Sequence, residues 1–134
     1  MAANILLVDD DPLVREAIRR TLELRGIRVT AVCGVTTAKE MLKRYSFSAV
    51  VSDVEMKDGT GVDLHAWVVN EVPHMRNKFI FCSGGLSPDL EEYIGRSGCR
   101  FFEKPIYWDG LVEAINDVRS SSSSRATAGD GAST

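Results

Sequence analysis

The run Ser48-Ala49-Val50-Val51-Ser52-Asp53 constrains this chain more than any other stretch. A short β-branched apolar run bounded by polar residues reads as a strand buried on both faces, which requires a sheet enclosed between helices. The run ends on an aspartate. In open α/β sheets, ligands bind just outside the carboxyl ends of the strands. A buried strand that delivers a carboxylate to that edge therefore restricts both fold and chemistry.

The flanking segments repeat one unit. Ile5-Leu6-Leu7-Val8 is a short buried strand ending in Asp9-Asp10-Asp11-Pro12, where acids and a proline mark the first turn of a helix. Val14, Ala17, Ile18, Thr21 and Leu22 recur at helical spacing, and Gly26 closes that helix. Arg28 to Cys33 reads as a second strand nearer an edge, and Thr37 with Glu40 forms a capping-box pair for the second helix. Glu55 to Gly61 is rich in turn formers. Val62 to Glu71 is helical, with Leu64, Trp67 and Val68 on its apolar side, and Pro73 breaks it. Lys78 to Cys82 is a fourth strand, and Ser87-Pro88-Asp89 starts a fourth helix. Cys99 to Phe102 is the fifth strand, and Leu111, Ala114, Ile115 and Val118 mark the last helix. Regular strand–helix alternation without an internal repeat predicts the α/β class: a five-stranded parallel sheet with right-handed crossovers and helices on both faces.

A chain of 134 residues fits one such domain. We expect the domain to occupy residues 1–119. Residues 120–134, dominated by Ser, Gly and Ala, cannot bury enough apolar area to offset their ordering and are expected to form a disordered tail. The net charge of −3 argues against a nucleic-acid-binding surface. No apolar run approaches the ~20 residues of a membrane span, and the start lacks a signal-peptide pattern, so a cytoplasmic location is expected. Cys33, Cys82 and Cys99 have no metal-ligand spacing and read as buried, reduced thiols. His65 and His74 read as helix and loop surface.

The chemistry lies at the strand ends. Asp9, Asp10, Asp53, Ser83 and Lys104 follow the first, third, fourth and fifth strands, so a doubly wound sheet brings them to one edge whatever their sequence separation. Taken singly these marks are bland: two acids before a helix place charge against its dipole, and a Ser-Gly-Gly segment is a turn. Their coincidence on one edge is what carries weight. Two like charges about 4 Å apart repel by about 4 kcal/mol even at an effective dielectric near 20. Three carboxylates therefore need a proton or a cation, and an oxygen-only donor set favours Mg²⁺ over zinc. A carboxylate nucleophile, a divalent cation and an ammonium are the minimum for accepting a phosphoryl group, since that transfer needs mainly positioning and charge neutralisation.

Val8-Asp9-Asp10-Asp11-Pro12, Ser52-Asp53-Val54-Glu55-Met56, Ser83-Gly84 and Lys104-Pro105, in this order and spacing, resemble the receiver domain of two-component response regulators. The resemblance covers residues 4 to 119 and implies the flavodoxin-like strand order 2-1-3-4-5. It implies that Asp53 accepts a phosphoryl group from a histidine kinase or histidine phosphotransfer protein. Asp10 would ligate Mg²⁺ directly, Asp9 mainly through water, and Glu55 through its backbone carbonyl. Ser83 would supply the switch hydroxyl, Lys104 the phosphoryl partner, and the bond before Pro105 would be cis. Phe101 falls where the family's switch aromatic is found. The implied readout surface is the fourth helix, fifth strand and fifth helix, with Tyr93, Arg96, Phe101 and Trp108 as candidates for contacting a downstream protein. The first helix, with Leu13, Glu16, Arg19 and Arg20, would dock the kinase. A monomer or weak dimer is expected, acting alone or as the terminal receiver of a hybrid kinase. Lys57 stands where the family usually has proline, which predicts a looser loop. Two rivals are a Mg²⁺-dependent phosphatase of haloacid-dehalogenase type, which would want an aspartate at position 55, and a pseudo-receiver that is never phosphorylated.

Overall fold

The computed structural model describes residues 4–127, with side chains described as far as residue 120. Its elements run β1 (Asn4–Val8), α1 (Pro12–Leu24), β2 (Arg28–Val32), α2 (Val35–Arg44), β3 (Ala49–Asp53), β4 (Glu55–Met56), β5 (Gly59–Thr60) and α3 (Gly61–Glu71). A 3-10 turn at Pro73–Met75 leads to β6 (Phe79–Ser83), α4 (Pro88–Ser97), β7 (Arg100–Glu103) and α5 (Trp108–Thr127). The five long strands are all parallel and lie in the order β2-β1-β3-β6-β7, which, counted along the sheet strands alone, is the expected 2-1-3-4-5.

Alternation along each strand divides the core. Ile5, Leu7, Ala49, Val51, Ile80 and Cys82 face Ile18 and Leu22 of α1 and Leu111, Ala114, Ile115 and Val118 of α5. Leu6, Val8, Val50, Phe79 and Phe81 face the other way, onto Ala38 and Leu42 of α2, Leu64 and Val68 of α3 and Ile94 of α4. Each such aliphatic or aromatic side chain contributes on the order of 1.5–3 kcal/mol by leaving water, so the strand stack is what holds the carboxyl edge rigid.

The helix starts expected at Asp11-Pro12 and Ser87-Pro88 hold, and a further cap appears on α3. Asp11 caps α1, its Oδ1 accepting from the Leu13 amide at 3.0 Å and the Val14 amide at 3.4 Å. Thr60 and Asp63 form a reciprocal capping box on α3. Ser87 caps α4, and Gly98 ends it in the left-handed region at φ 75°.

Others fail for physical reasons. The second helix begins at Val35, ahead of the Thr37–Glu40 pair, and its N-cap is Gly34, which has no side chain to offer. Asp58, from the turn between β4 and β5, accepts from the Val35 amide at 2.9 Å and the Thr36 amide at 3.0 Å and does the capping instead. Apart from these, helix α5 continues in backbone to Thr127, into the stretch expected as a tail, serine being a middling helix former and not a breaker; residues 128–134 of that stretch lie outside the described residues. Cys33 is exposed, sitting just past the last residue of β2, where the chain leaves the core, while Cys82 is buried and Cys99 half-buried. All three thiols are free. Among the described residues no helix is long and apolar enough to cross a membrane.

Candidate functional site

Because β1, β3, β6 and β7 are parallel, their carboxyl ends deliver side chains to one edge. Asp9 and Asp10 follow β1, Asp53 ends β3, Ser83 ends β6 and Lys104 follows β7. One carboxylate oxygen from each of Asp9, Asp10 and Asp53 falls within 4.8 Å of the others. The Lys104 Nζ lies 3.2 Å from Oδ2 of Asp9 and 3.6 Å from Oδ2 of Asp53.

Each of the three carboxylates has one oxygen held by a backbone amide. Asp9 Oδ1 accepts from the Asp11 N–H at 2.9 Å, Asp53 Oδ1 from the Val54 N–H at 2.8 Å, and Asp10 Oδ2 from the Lys57 N–H at 2.8 Å. The second oxygens of Asp9 and Asp53 share a single ammonium. Three carboxylates against one lysine leave two negative charges uncompensated when all are ionised. Burial raises the Asp53 pKa from its ordinary value, with repulsion from Asp9 adding to it and Lys104 opposing. Burial also pulls on the Lys104 ammonium, but the attraction of Asp9 and Asp53 outweighs it and the net shift is upward. Asp9 is only 1% exposed. A buried acid beside an under-neutralised neighbour is an arrangement that a small hard cation or a phosphoryl group's partners would relieve.

The remaining expected site residues are placed as follows. Ser83 is buried, and its Oγ donates to the Gly85 carbonyl at 2.7 Å while accepting from the Gly85 N–H at 3.2 Å, so the hydroxyl is engaged within its own loop. The Lys104 amide donates to the Ser83 carbonyl at 2.8 Å, and the Lys104–Pro105 bond is cis, as expected. Glu55 is exposed, and its carboxylate is not among the three that converge. The loop that carries it has regular structure. It forms an antiparallel ribbon pairing Glu55 with Thr60 and Met56 with Gly59. Lys57 at its tip supplies an N–H to Asp10 that a proline could not. Gly61 is needed where the ribbon returns, since a Cβ there would overlap the Asp53 carbonyl oxygen.

His65 is not on the surface but 5% exposed. It packs edge-on against Phe79 and Phe81, with its Nε2 2.9 Å from the Arg76 carbonyl and its Nδ1 2.8 Å from the Tyr93 hydroxyl. A carbonyl can only accept, so Nε2 carries the hydrogen and Nδ1 accepts from Tyr93. Burial lowers the His65 pKa, consistent with this neutral form. The histidine falls one residue after Leu64 on α3, a position that spacing alone leaves ambiguous; Cys99 Sγ lies 3.6 Å from its Nε2, but no group of three metal-ligating side chains includes it among the described residues. Its Tyr93 contact engages one of the candidate readout residues. Tyr93, Phe101 and Trp108 are partly buried against the core, and of the four named residues Arg96 alone is exposed. Sequence reasoning missed Gly34 and Asp58. The signal was present as a glycine where a cap side chain belongs.

Fold and site together define a doubly wound α/β domain with an acidic pocket and one lysine at the carboxyl edge. The profile of the response regulator receiver domain matches residues 5–116, and the chain belongs to that family. It is a signalling domain of two-component systems. It is 41% identical over 115 residues to the response regulator protein FleR of Pseudomonas aeruginosa, covering 86% of this chain and 24% of that protein. It is 28% identical over 117 residues to the response regulator receiver protein CpdR of Brucella abortus, covering 86% of this chain and 95% of that one. The chain spans about a quarter of the length of most curated relatives it matches, several of which are named transcriptional regulatory proteins. A CheY-like receiver from Methanospirillum hungatei superposes with a TM-score of 0.84 at 21% identity, covering 93% of this chain and 99% of that one. That likeness speaks for the fold alone.

Proposed function

We propose that Asp53 is the phosphoacceptor, taking a phosphoryl group from a phosphohistidine on a histidine kinase or phosphotransfer protein. The observation that carries the reading is the convergence of Asp9, Asp10 and Asp53 around one lysine at the carboxyl edge. The donor set fits Mg²⁺: oxygen ligands only, two uncompensated charges, and one oxygen of Asp10 that takes no hydrogen bond among the described residues. Asp10 and Asp53 would hold the ion directly, Asp9 through water, and Glu55 through its carbonyl. The ion would neutralise charge on the phosphoryl oxygens.

This chain's own residues supply the rest. The Val54 amide fixes one oxygen of Asp53, leaving the other to attack phosphorus in line. The Asp53 Oδ–P bond forms as the donor's N–P bond breaks, and the leaving imidazole takes up a proton. Lys104 neutralises a phosphoryl oxygen, and Ser83 would exchange its Gly85 partner for another as the loop closes. A phosphoryl group adds about −1.5 to −2 charge, enough to bias a pre-existing two-state loop. The kinase would dock on α1, where Leu13 is 82% exposed. A downstream protein would read α4, β7 and α5, starting from Arg96. The unit is read as a signalling domain at 1–119 with 120–134 as its tail, in the cytoplasm.

The test is incubation with acetyl phosphate. Stoichiometric, Mg²⁺-dependent phosphorylation that is lost in Asp53→Asn is expected. Multiple turnover of a simple phosphate ester would instead mark a phosphatase, and no incorporation at all would mark a binding module.

A further inference from the structure

The three carboxylates differ in what holds them. Asp9 is fixed by the amide of Asp11 within its own turn, and Asp53 by that of its neighbour Val54. Asp10 relies on the amide of Lys57, 47 residues along the chain. Its orientation therefore depends on where the β4–β5 ribbon lies, and the ribbon is a two-residue pairing too short to fix itself. Its base is tied by the Gly61 amide to the Val54 carbonyl at 2.7 Å. Met56 packs against the core, and at the tip, besides the Lys57–Asp10 bond itself, Asp58 takes the Val35 and Thr36 amides on its two oxygens at 2.9 and 3.0 Å.

The seat for Asp58 is shaped for it. Gly34 leaves the N-terminus of α2 without a capping side chain, and a Cβ at Gly34 would stand 2.6 Å from Oδ1 of Asp58. The Gly34 backbone is extended, at φ 179°, so glycine is required there for space and not for conformation. The two amides lower the Asp58 pKa, so the clasp is an ionised carboxylate at neutral pH.

We propose that Asp58, seated on α2 in the space left by Gly34, is a positioning residue that aims Asp10 through the Lys57 amide. The inference rests on the reading of Asp10 as a metal ligand. It goes beyond that reading by making the N-terminus of α2 part of what sets cation affinity. Groups that orient a ligand contribute to metal affinity although they never touch the ion.

The test titrates the unphosphorylated chain with MgCl₂, read by calorimetry and by backbone amide shifts, alongside hydrogen exchange at the Val35, Thr36 and Lys57 amides. Asp58→Ala and Gly34→Ala should each weaken Mg²⁺ binding roughly tenfold and speed exchange at Lys57. Asp58→Asn, which keeps one acceptor oxygen, should fall between them and the parent. Gly34→Ala keeps every hydrogen-bonding group and carries the test if Asp58→Ala does not fold. Faster exchange at Val35 and Thr36 with unchanged Mg²⁺ affinity would overturn the proposal and leave Asp58 as a helix cap only. A parent chain that shows no saturable Mg²⁺ binding would overturn the metal reading itself, a result distinct from a parent that binds and variants that bind equally well.

Discussion

Two polar clusters, one around His65 beneath α4 and one around Asp53 at the carboxyl edge of the sheet, differ in how well they are satisfied. Around His65 both ring nitrogens have partners and Tyr93 completes the set, with aromatic rings closing the rest. Around Asp53 three carboxylates converge, only Asp9 and Asp53 reach the one ammonium, and the electrostatics remain unbalanced. Burial alone does not distinguish structure from function. A satisfied buried group stabilises, while an under-compensated one is held in place by the fold and waits for a ligand.

If that contrast is right, the largest stability loss comes from the satisfied cluster. His65→Ala should cost about 2–4 kcal/mol in denaturant unfolding, from a cavity between Phe79, Phe81 and Tyr93 plus two orphaned polar partners. A loss well under 1 kcal/mol would mean the cluster is looser than its distances indicate. Next comes the response to Mg²⁺. Binding to the folded state alone should raise unfolding free energy by about 2.7 kcal/mol at a hundred times the dissociation constant. That gain should be reversed by chelation and lost in Asp10→Asn.

A smaller effect has the opposite sign. The raised pKa of Asp53 means that the unfolded chain ionises this group at lower pH than the folded protein. Its charge therefore costs stability once pH exceeds the folded value, and Asp53→Asn without Mg²⁺ should raise the denaturation midpoint. A fall would show that Lys104 over-compensates the site. The smallest effect is in pH. His65 has a lowered pKa, so as pH falls below the ordinary value of 6.5 the unfolded chain takes up a proton that the folded protein refuses. Stability should decline from there toward the folded value. His65→Gln should flatten that part of the profile relative to the parent.

The sheet and its edge were legible because their signal is one-dimensional. Ile5 to Val8, Ala49 to Asp53 and Phe79 to Cys82 are apolar runs that admit little but buried strands, and parallel strands must align their carboxyl ends. Asp9, Asp10, Asp53 and Lys104 meet for that reason alone. What escaped depends on contacts between distant segments. Asp58 caps a helix more than twenty positions earlier, a service usually supplied from within two or three residues, so a local capping rule selected Thr37 and Glu40 instead. His65 sits on a helix with apolar residues on more than one side, since α3 packs against α2 as well as the sheet and α4, and periodicity could not say which flank was wet. Ser120 onward followed composition, but a helix already anchored by Leu111, Ile115 and Val118 can propagate through residues that would not start one.

The central claim is that one carboxylate of the three takes the phosphoryl group. Treating the chain with acetyl phosphate and Mg²⁺, reducing the acyl phosphate with borohydride and sequencing the peptides by mass spectrometry tests it directly. A single homoserine is expected, at position 53, and it disappears when Mg²⁺ is withheld. A homoserine at position 9 or 10, or label surviving in Asp53→Asn, would contradict it.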